Sequence, residues 1–244
     1  MPLLRVAAHR AIIGPMRPHL DQELQAIRAS ILELGARVSG ATGQATHALL
    51  NRDLDEAREV KREDQTSDAL RYAIENACVV TMATQQPMAR DLRALLGAAF
   101  IAVELERCGD YAKGVAKAAR RIVRVAPAPD SEFNLAQMAE MARNMLDRSV
   151  SAFAASDPDA AKTVMSEDDL LDVYYDALLK AVVARMSADP AFADHGIWLL
   201  HAGHCLERIG DRATNIAERV VFIATGALTG DTNTHSVERG RSLH

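Results

Sequence analysis

Apolar side chains return every three to four positions along most of this chain, the spacing that places them on one side of an α-helix. Leu20, Leu24, Ile27, Ile31, Leu34 and Val38 form the first such stripe and predict a long helix from His19 to near Leu50. Asn51 and Asp53 then supply turn and N-cap chemistry. Leu54, Val60, Leu70, Ile74 and Val80 predict a second helix to near Thr84, and Pro87 marks a break and restart. Leu92, Leu95, Leu96, Leu105, Val115 and Ile122 predict a third, from near Met88 to Val125.

Pro127 and Pro129, followed by Asp130 and Ser131, read as a linker, with Ser131 opening the next helix. The order then repeats. One helix is predicted from Ser131 to Ala155. A second opens on the Asp157-Pro158 pair and runs to near Met186, and a last one opens on Asp189-Pro190, runs to Thr225 and stops at Gly226. No useful β-type alternation occurs. The expectation is an all-α protein of two tandem, sequence-repeated three-helix bundles, residues 19–126 and 130–226. An arm, 1–18, precedes them, and a polar tail, 227–244, offers little to bury and reads as disordered.

The repeat is also written in chemistry. Leu105-Glu106-Arg107-Cys108-Gly109-Asp110-Tyr111-Ala112 and Leu206-Glu207-Arg208-Ile209-Gly210-Asp211-Arg212-Ala213 agree at six of eight positions, displaced by 101. The shared letters are acidic, basic and glycine, not the Leu and Ala that helical chains repeat by accident, so they indicate an internal duplication with a chemical purpose.

Glu106 with Asp110, and Glu207 with Asp211, stand at i and i+4 and present two carboxylates on one helix face. Asp64 with Asp68, and Asp168 with Asp172, have the same spacing on the second helix of each half, displaced by 104. Like charges so placed cost a helix roughly 0.2–0.5 kcal/mol per pair, and a helical glycine about 1 kcal/mol relative to alanine. Both costs recur in both halves. If the two acidic helices of a half face each other, four carboxylates converge, and protons or a multivalent cation must neutralise them. Gly109 and Gly210 then read as places where a neighbouring backbone or an ion comes close. The plainer alternative is a solvated acidic face with Lys or Arg partners nearby.

His201, His204 and Glu207 also share a face, but His precedes Glu, the reverse of the Glu-x-x-His order of di-iron bundles. His204 is therefore more simply a packed or partly exposed helix residue than a ligand. No phosphate loop, HExxH motif or nucleophile elbow is present.

Bulk properties narrow the field. A net charge of −5 with pI near 5.9 disfavours nucleic-acid binding. Cys78, Cys108 and Cys205 are odd in number, lack CxxC spacing and sit in apolar helical contexts, which predicts reduced, core-packed thiols and a cytosolic setting. No stretch reads as a membrane span, and residues 1–18 do not read as a secretion signal.

Gln85-Gln86-Pro87-Met88-Ala89-Arg90-Asp91-Leu92-Arg93, the motif at 105–110 and Leu206 to Ala217 closely resemble the PhoU family of phosphate-uptake regulators, over about residues 19–226. That resemblance implies metal-binding acidic patches and a non-enzymatic, negative regulatory role between the phosphate ABC transporter ATPase subunit and the sensor histidine kinase of the phosphate regulon. Carried over by position, the metal ligands are Asp64, Asp68, Glu106 and Asp110, then Asp168, Asp172, Glu207 and Asp211. Arg90, Asp91 and Arg93 are the implied partner contacts. The chain departs from an equal repeat at Gly114, which stands opposite Asn215, and at Asp194 and His195, which stand where a second ARDLR would be.

Oxygen-only ligands accept divalent or trivalent ions, with Mg, Mn, Fe and Zn all candidates. A homodimer in the cytoplasm, held at the inner membrane through partners alone, completes the expectation. The contrasting expectation is a carboxylate-bridged metalloenzyme of the helical-bundle type, which would turn over oxygen or a phosphoester.

Overall fold

The computed structural model describes residues 17–123 and 133–227, the side chains of residues 17 and 63–65 excepted. The 127–131 linker, nearly all of the 1–18 arm and the tail beyond Ala227 lie outside the described residues. So does the side chain of Asp64.

Helix α1, Arg17–Asn51, follows the first stripe closely: Ile27, Ile31, Leu34 and Val38 are all buried. Helix α2, Leu54–Gln85, starts where Asp53 caps it, its carboxylate accepting from the Asp55 and Glu56 amides. Gln86 in the left-handed region ends it, and α3, Arg90–Ile122, begins three residues after Pro87.

In the second half α4 spans Leu135–Ala155, four residues later than the expected start at Ser131. The expected second helix is two helices. α5, Pro158–Met165, is capped by Asp157, which accepts from the Asp159 and Ala160 amides, and α6 is Asp168–Ala188. The break lies at Ser166 and Glu167, where the Ser166 hydroxyl donates to the Thr163 carbonyl and Arg148 of α4 holds Glu167 through two hydrogen bonds of 2.6 and 2.7 Å. Asp189 caps a 3-10 turn, Pro190–Phe192, and α7, Ala193–Thr225, starts beyond it and ends at Gly226 in the left-handed region.

These seven helices draw on one continuous hydrophobic cluster. α3 and α7, the motif helices, pack against each other more extensively than any other pair, and α1 also packs on α4. The repeats are thus fused face to face. Three positions expected in the core lie outside it: Val80 (49% exposed), Leu92 (37%) and Leu96 (49%). The three cysteines are buried and unpaired, as their contexts predicted.

The glycines of α7 set how closely α6 approaches. Gly196, Gly203 and Gly210 recur every seven residues and face Met186 and Val182, then Leu178, then Leu171. A Cβ at Gly210 would land on the buried Leu171 side chain, so this glycine admits a neighbouring side chain, not the backbone or ion expected from the sequence. Its counterpart Gly109 is open, the nearest atom to an added Cβ being Val38 Cγ2 at 3.8 Å. Thermal unfolding should separate the two: Gly210→Ala is expected to lose about 1–3 kcal/mol by overpacking, and Gly109→Ala to gain up to about 1 kcal/mol from helix propensity. Equal effects would remove the distinction.

Candidate functional site

The second acidic patch lies where the start of α6 meets the middle of α7. Because the chain breaks at Ser166, Asp168 stands in the first turn of α6, with Asp172 one turn on, while α7 supplies Glu207 and Asp211. Asp168 accepts from the Thr214 hydroxyl at 3.3 Å, which brings it onto the acidic side of α7. The two expected pairs therefore share one face.

Their electrostatics reflect the crowding. Burial first, then the charges of Asp211 and Asp172, push the Asp168 carboxyl up to about 6. Raising a carboxyl that far disfavours its charged form by about 3 kcal/mol, more than the roughly 0.3–1 kcal/mol with which a helix N-terminus favours a carboxylate, so burial together with the neighbouring charges outweighs the dipole here. Burial and Asp211 push Glu207 up to about 7, with Arg208 opposing and Asp172 and Asp168 adding to the rise. Asp211 is raised as well, by burial, although Arg208 and Arg212 draw it the other way.

No three of the described Asp, Glu, His and Cys side chains are gathered tightly enough to ligate one ion. The reason is visible in their partners. Asp211 turns to Arg208 at 2.6 Å, Asp168 to Thr214, and Glu207 to His204, whose Nδ1 lies 3.5 Å away. That Glu207 oxygen, Oε2, is buried and makes no hydrogen bond, His204 Nδ1 being at ion-pair distance only. Four carboxylates on one face are oxygen donors of the kind a hard cation takes, although as they stand they turn to other partners and do not converge on one point. His204, lowered by burial and Arg208, sits at the patch edge as Glu207's neighbour.

The first patch is looser. Burial and Asp110 raise the Glu106 carboxyl, Arg71 lowers it, and Asp68 of α2 raises it further, so Asp68, Glu106 and Asp110 also share a face. Asp110 pairs with Lys113 at 2.5 Å and Arg71 with Glu75.

Arg90 and Asp91 line a cavity of about 710 Å³ with Arg28, Phe153 and the exposed Met88. Arg93 turns away from it, its guanidinium packing against Gly226 at the end of α7.

Sequence reasoning passed over Glu104. This side chain on α3 is buried and accepts from Arg212 Nη1 and Asn215 Nδ2, each at 3.1 Å, and from Arg107 at 3.3 Å. It joins the halves by charge. The counterparts at a shift of 101 are Cys205, Tyr111 and Gly114, and Cys205 Sγ lies only 2.5 Å from where a Gly114 Cβ would stand. One flank of the α3–α7 contact is therefore a buried ion pair, and the other a close fit of Cys205 against Gly114 with Tyr111 hydrogen-bonded to Arg208.

Two fused helical repeats, each with an i,i+4 carboxylate pair on both of its last two long helices, α2 and α3 in one half and α6 and α7 in the other, define a duplicated acidic helical-bundle protein. The family model of the PhoU domain matches this chain at residues 31–119 and 135–220, one match per half. The chain belongs to the PhoU family. A phosphate-specific transport system accessory protein PhoU homolog from Rhizobium meliloti is 34% identical over 85% of this chain and 87% of its own. One from Synechocystis is 33% identical over 88% and 95%. The crystal structure of PhoU from Pseudomonas aeruginosa superposes with a TM-score of 0.82 at 30% identity, over 85% of this chain and 99% of that one.

Proposed function

We propose that this protein is an accessory regulator of phosphate transport that binds multivalent cations at its two acidic patches and represses the phosphate regulon when phosphate is plentiful. Its partners in this reading are the ATPase subunit of the phosphate ABC transporter and the regulon's sensor histidine kinase, and it acts in the cytoplasm as a homodimer without catalysing a reaction. Among the described residues no helix is long and apolar enough to cross a membrane. In this reading contact with the membrane runs through the transporter. The relatives carry the name of transport accessory proteins. The observation that carries the cation reading is the Asp168, Asp172, Glu207 and Asp211 patch, with two carboxyls pushed up to about 6 and about 7 and a buried Glu207 oxygen that makes no hydrogen bond and meets only His204 Nδ1 at 3.5 Å.

Asp68, Glu106 and Asp110, with Asp64, make the first, looser cation patch in this reading. Arg90, Asp91 and Arg93 face a partner, the first two through the cavity they share with Met88. Deletion of the gene is expected to raise expression of phosphate-starvation genes in high phosphate, read with a transcriptional reporter. Output that stayed low and phosphate-responsive would refute the regulatory role.

A further inference from the structure

Next to the first acidic patch, a cavity of about 370 Å³ opens between the start of α2 and the end of α3. Seven residues line it, and five are cationic: Lys61 from α2 and Lys113, Lys117, Arg120 and Arg121 from α3. Its remaining lining, Ala57 and Ala116, is buried and apolar. No acidic side chain is among these lining residues. Lys113 is partly answered by Asp110, which leaves a strong positive excess in a chain whose net charge is −5.

The duplication supplies an internal control. At a shift of 101 the α3 cations become Thr214, Glu218, Val221 and Phe222, and at 104 Lys61 becomes Met165. None is basic, and α7 folds as the same helix without them. The architecture does not require this cluster. Like charges spaced by three and four along one helix face repel, so their retention on one half alone points to an anionic ligand.

We propose that this cavity binds a compact polyanion carrying several phosphoryl groups. Lysine ammonium groups supply movable point charges and the arginines planar forks, the combination that suits clustered phosphate oxygens. Five cations exceed what one orthophosphate can neutralise, and the volume exceeds one phosphate group. A short phosphate chain and the triphosphate of a nucleotide share this chemistry. The site meets the first acidic patch at Lys113, whose Nζ lies 2.5 Å from Asp110, and its other four cations come from Lys61, Lys117, Arg120 and Arg121.

Trp198, the single tryptophan of the chain, reports on it: Lys117 Nζ lies 5.7 Å and Arg121 Cζ 5.5 Å from its ring centroid. Metal-stripped full-length protein, titrated with tripolyphosphate at constant ionic strength, is expected to show a saturable change in Trp198 fluorescence. Lys61→Gln with Arg120→Gln removes two cations without touching the groups against that ring and is expected to weaken binding roughly tenfold. Lys61→Gln with Lys117→Gln, both positions exposed, serves calorimetry as the second variant, and Lys162→Gln with Lys180→Gln, exposed on α5 and α6, is the charge-matched control. ATP binding more tightly than tripolyphosphate identifies the nucleotide as the source; equal or weaker binding identifies a bare chain. The proposal is overturned if tripolyphosphate gives no saturable change, if orthophosphate binds as tightly, or if the cavity variants bind like the control.

Discussion

Glu104→Ala is expected to destabilise the folded chain by about 3–5 kcal/mol, the penalty for stranding a buried charge. The carboxylate is 2% exposed and answers Arg212 and Asn215 across the α3–α7 contact. Without it, the Arg212 guanidinium is left 15% exposed with Asp211 at 3.9 Å, and its Nε already lacks a partner. Arg212→Ala should cost a similar amount for the opposite reason, leaving Glu104 with Arg107 and Asn215 only. Replacing both residues by methionine should recover much of the loss, since an apolar pair removes the desolvation of two ions together. Urea unfolding of the two single variants and the pair decides the matter. Single losses under about 1 kcal/mol would show that the node is not a structural tie.

The second large effect is a dependence of stability on pH that a cation reverses. Asp168 and Glu207 have folded-state values of about 6 and about 7, above the ordinary carboxyl range. The folded chain thus holds more protons than the unfolded chain between about pH 4 and 7, and the slope of stability against pH is negative there. Their contribution is fully present at low pH and is lost as pH rises through the folded values. The metal-free protein is expected to lose about 3 kcal/mol from this patch between about pH 4.5 and 8, less than the two effects would sum to because the groups share their repulsion. A divalent ion should restore the loss at about pH 8 and do little at about pH 5, where protons occupy the carboxyls. Calorimetric midpoints with and without manganese measure this, and a metal-free midpoint that rose steadily from about pH 5 to 8 would contradict it.

What the sequence shows and what it hides follow from the range of the interactions. Helix identity was legible because a period near 3.6 repeats over some thirty residues, and Asp53 and Asp157 were legible as caps because a cap is a local bond. The acidic pairs were legible because i,i+4 geometry is internal to one helix. The break at Ser166 was not, since Arg148, which holds Glu167 there, comes from another helix. Glu104 reads in the sequence as one more acid one turn from Arg107, and only packing between the halves reveals it as buried. Val80, Leu92 and Leu96 fit a helical stripe wider than the face the neighbours cover. The glycines at 196, 203 and 210 did carry a readable seven-residue signal for close approach, as did the basic run from Lys113 to Arg121 on one face of α3.

Crowded carboxylates at two pseudo-equivalent places are the feature on which the cation reading stands, and bound metal measures it directly. Protein purified without added metal, then dialysed against a manganese buffer and subjected to elemental analysis, is expected to carry metal in both halves. The Asp110→Asn, Asp211→Asn double variant should fall to background while its helical content and thermal midpoint stay level or rise, since carboxylate repulsion is relieved. Background metal in the unaltered protein, or full occupancy in the double variant, would contradict the account.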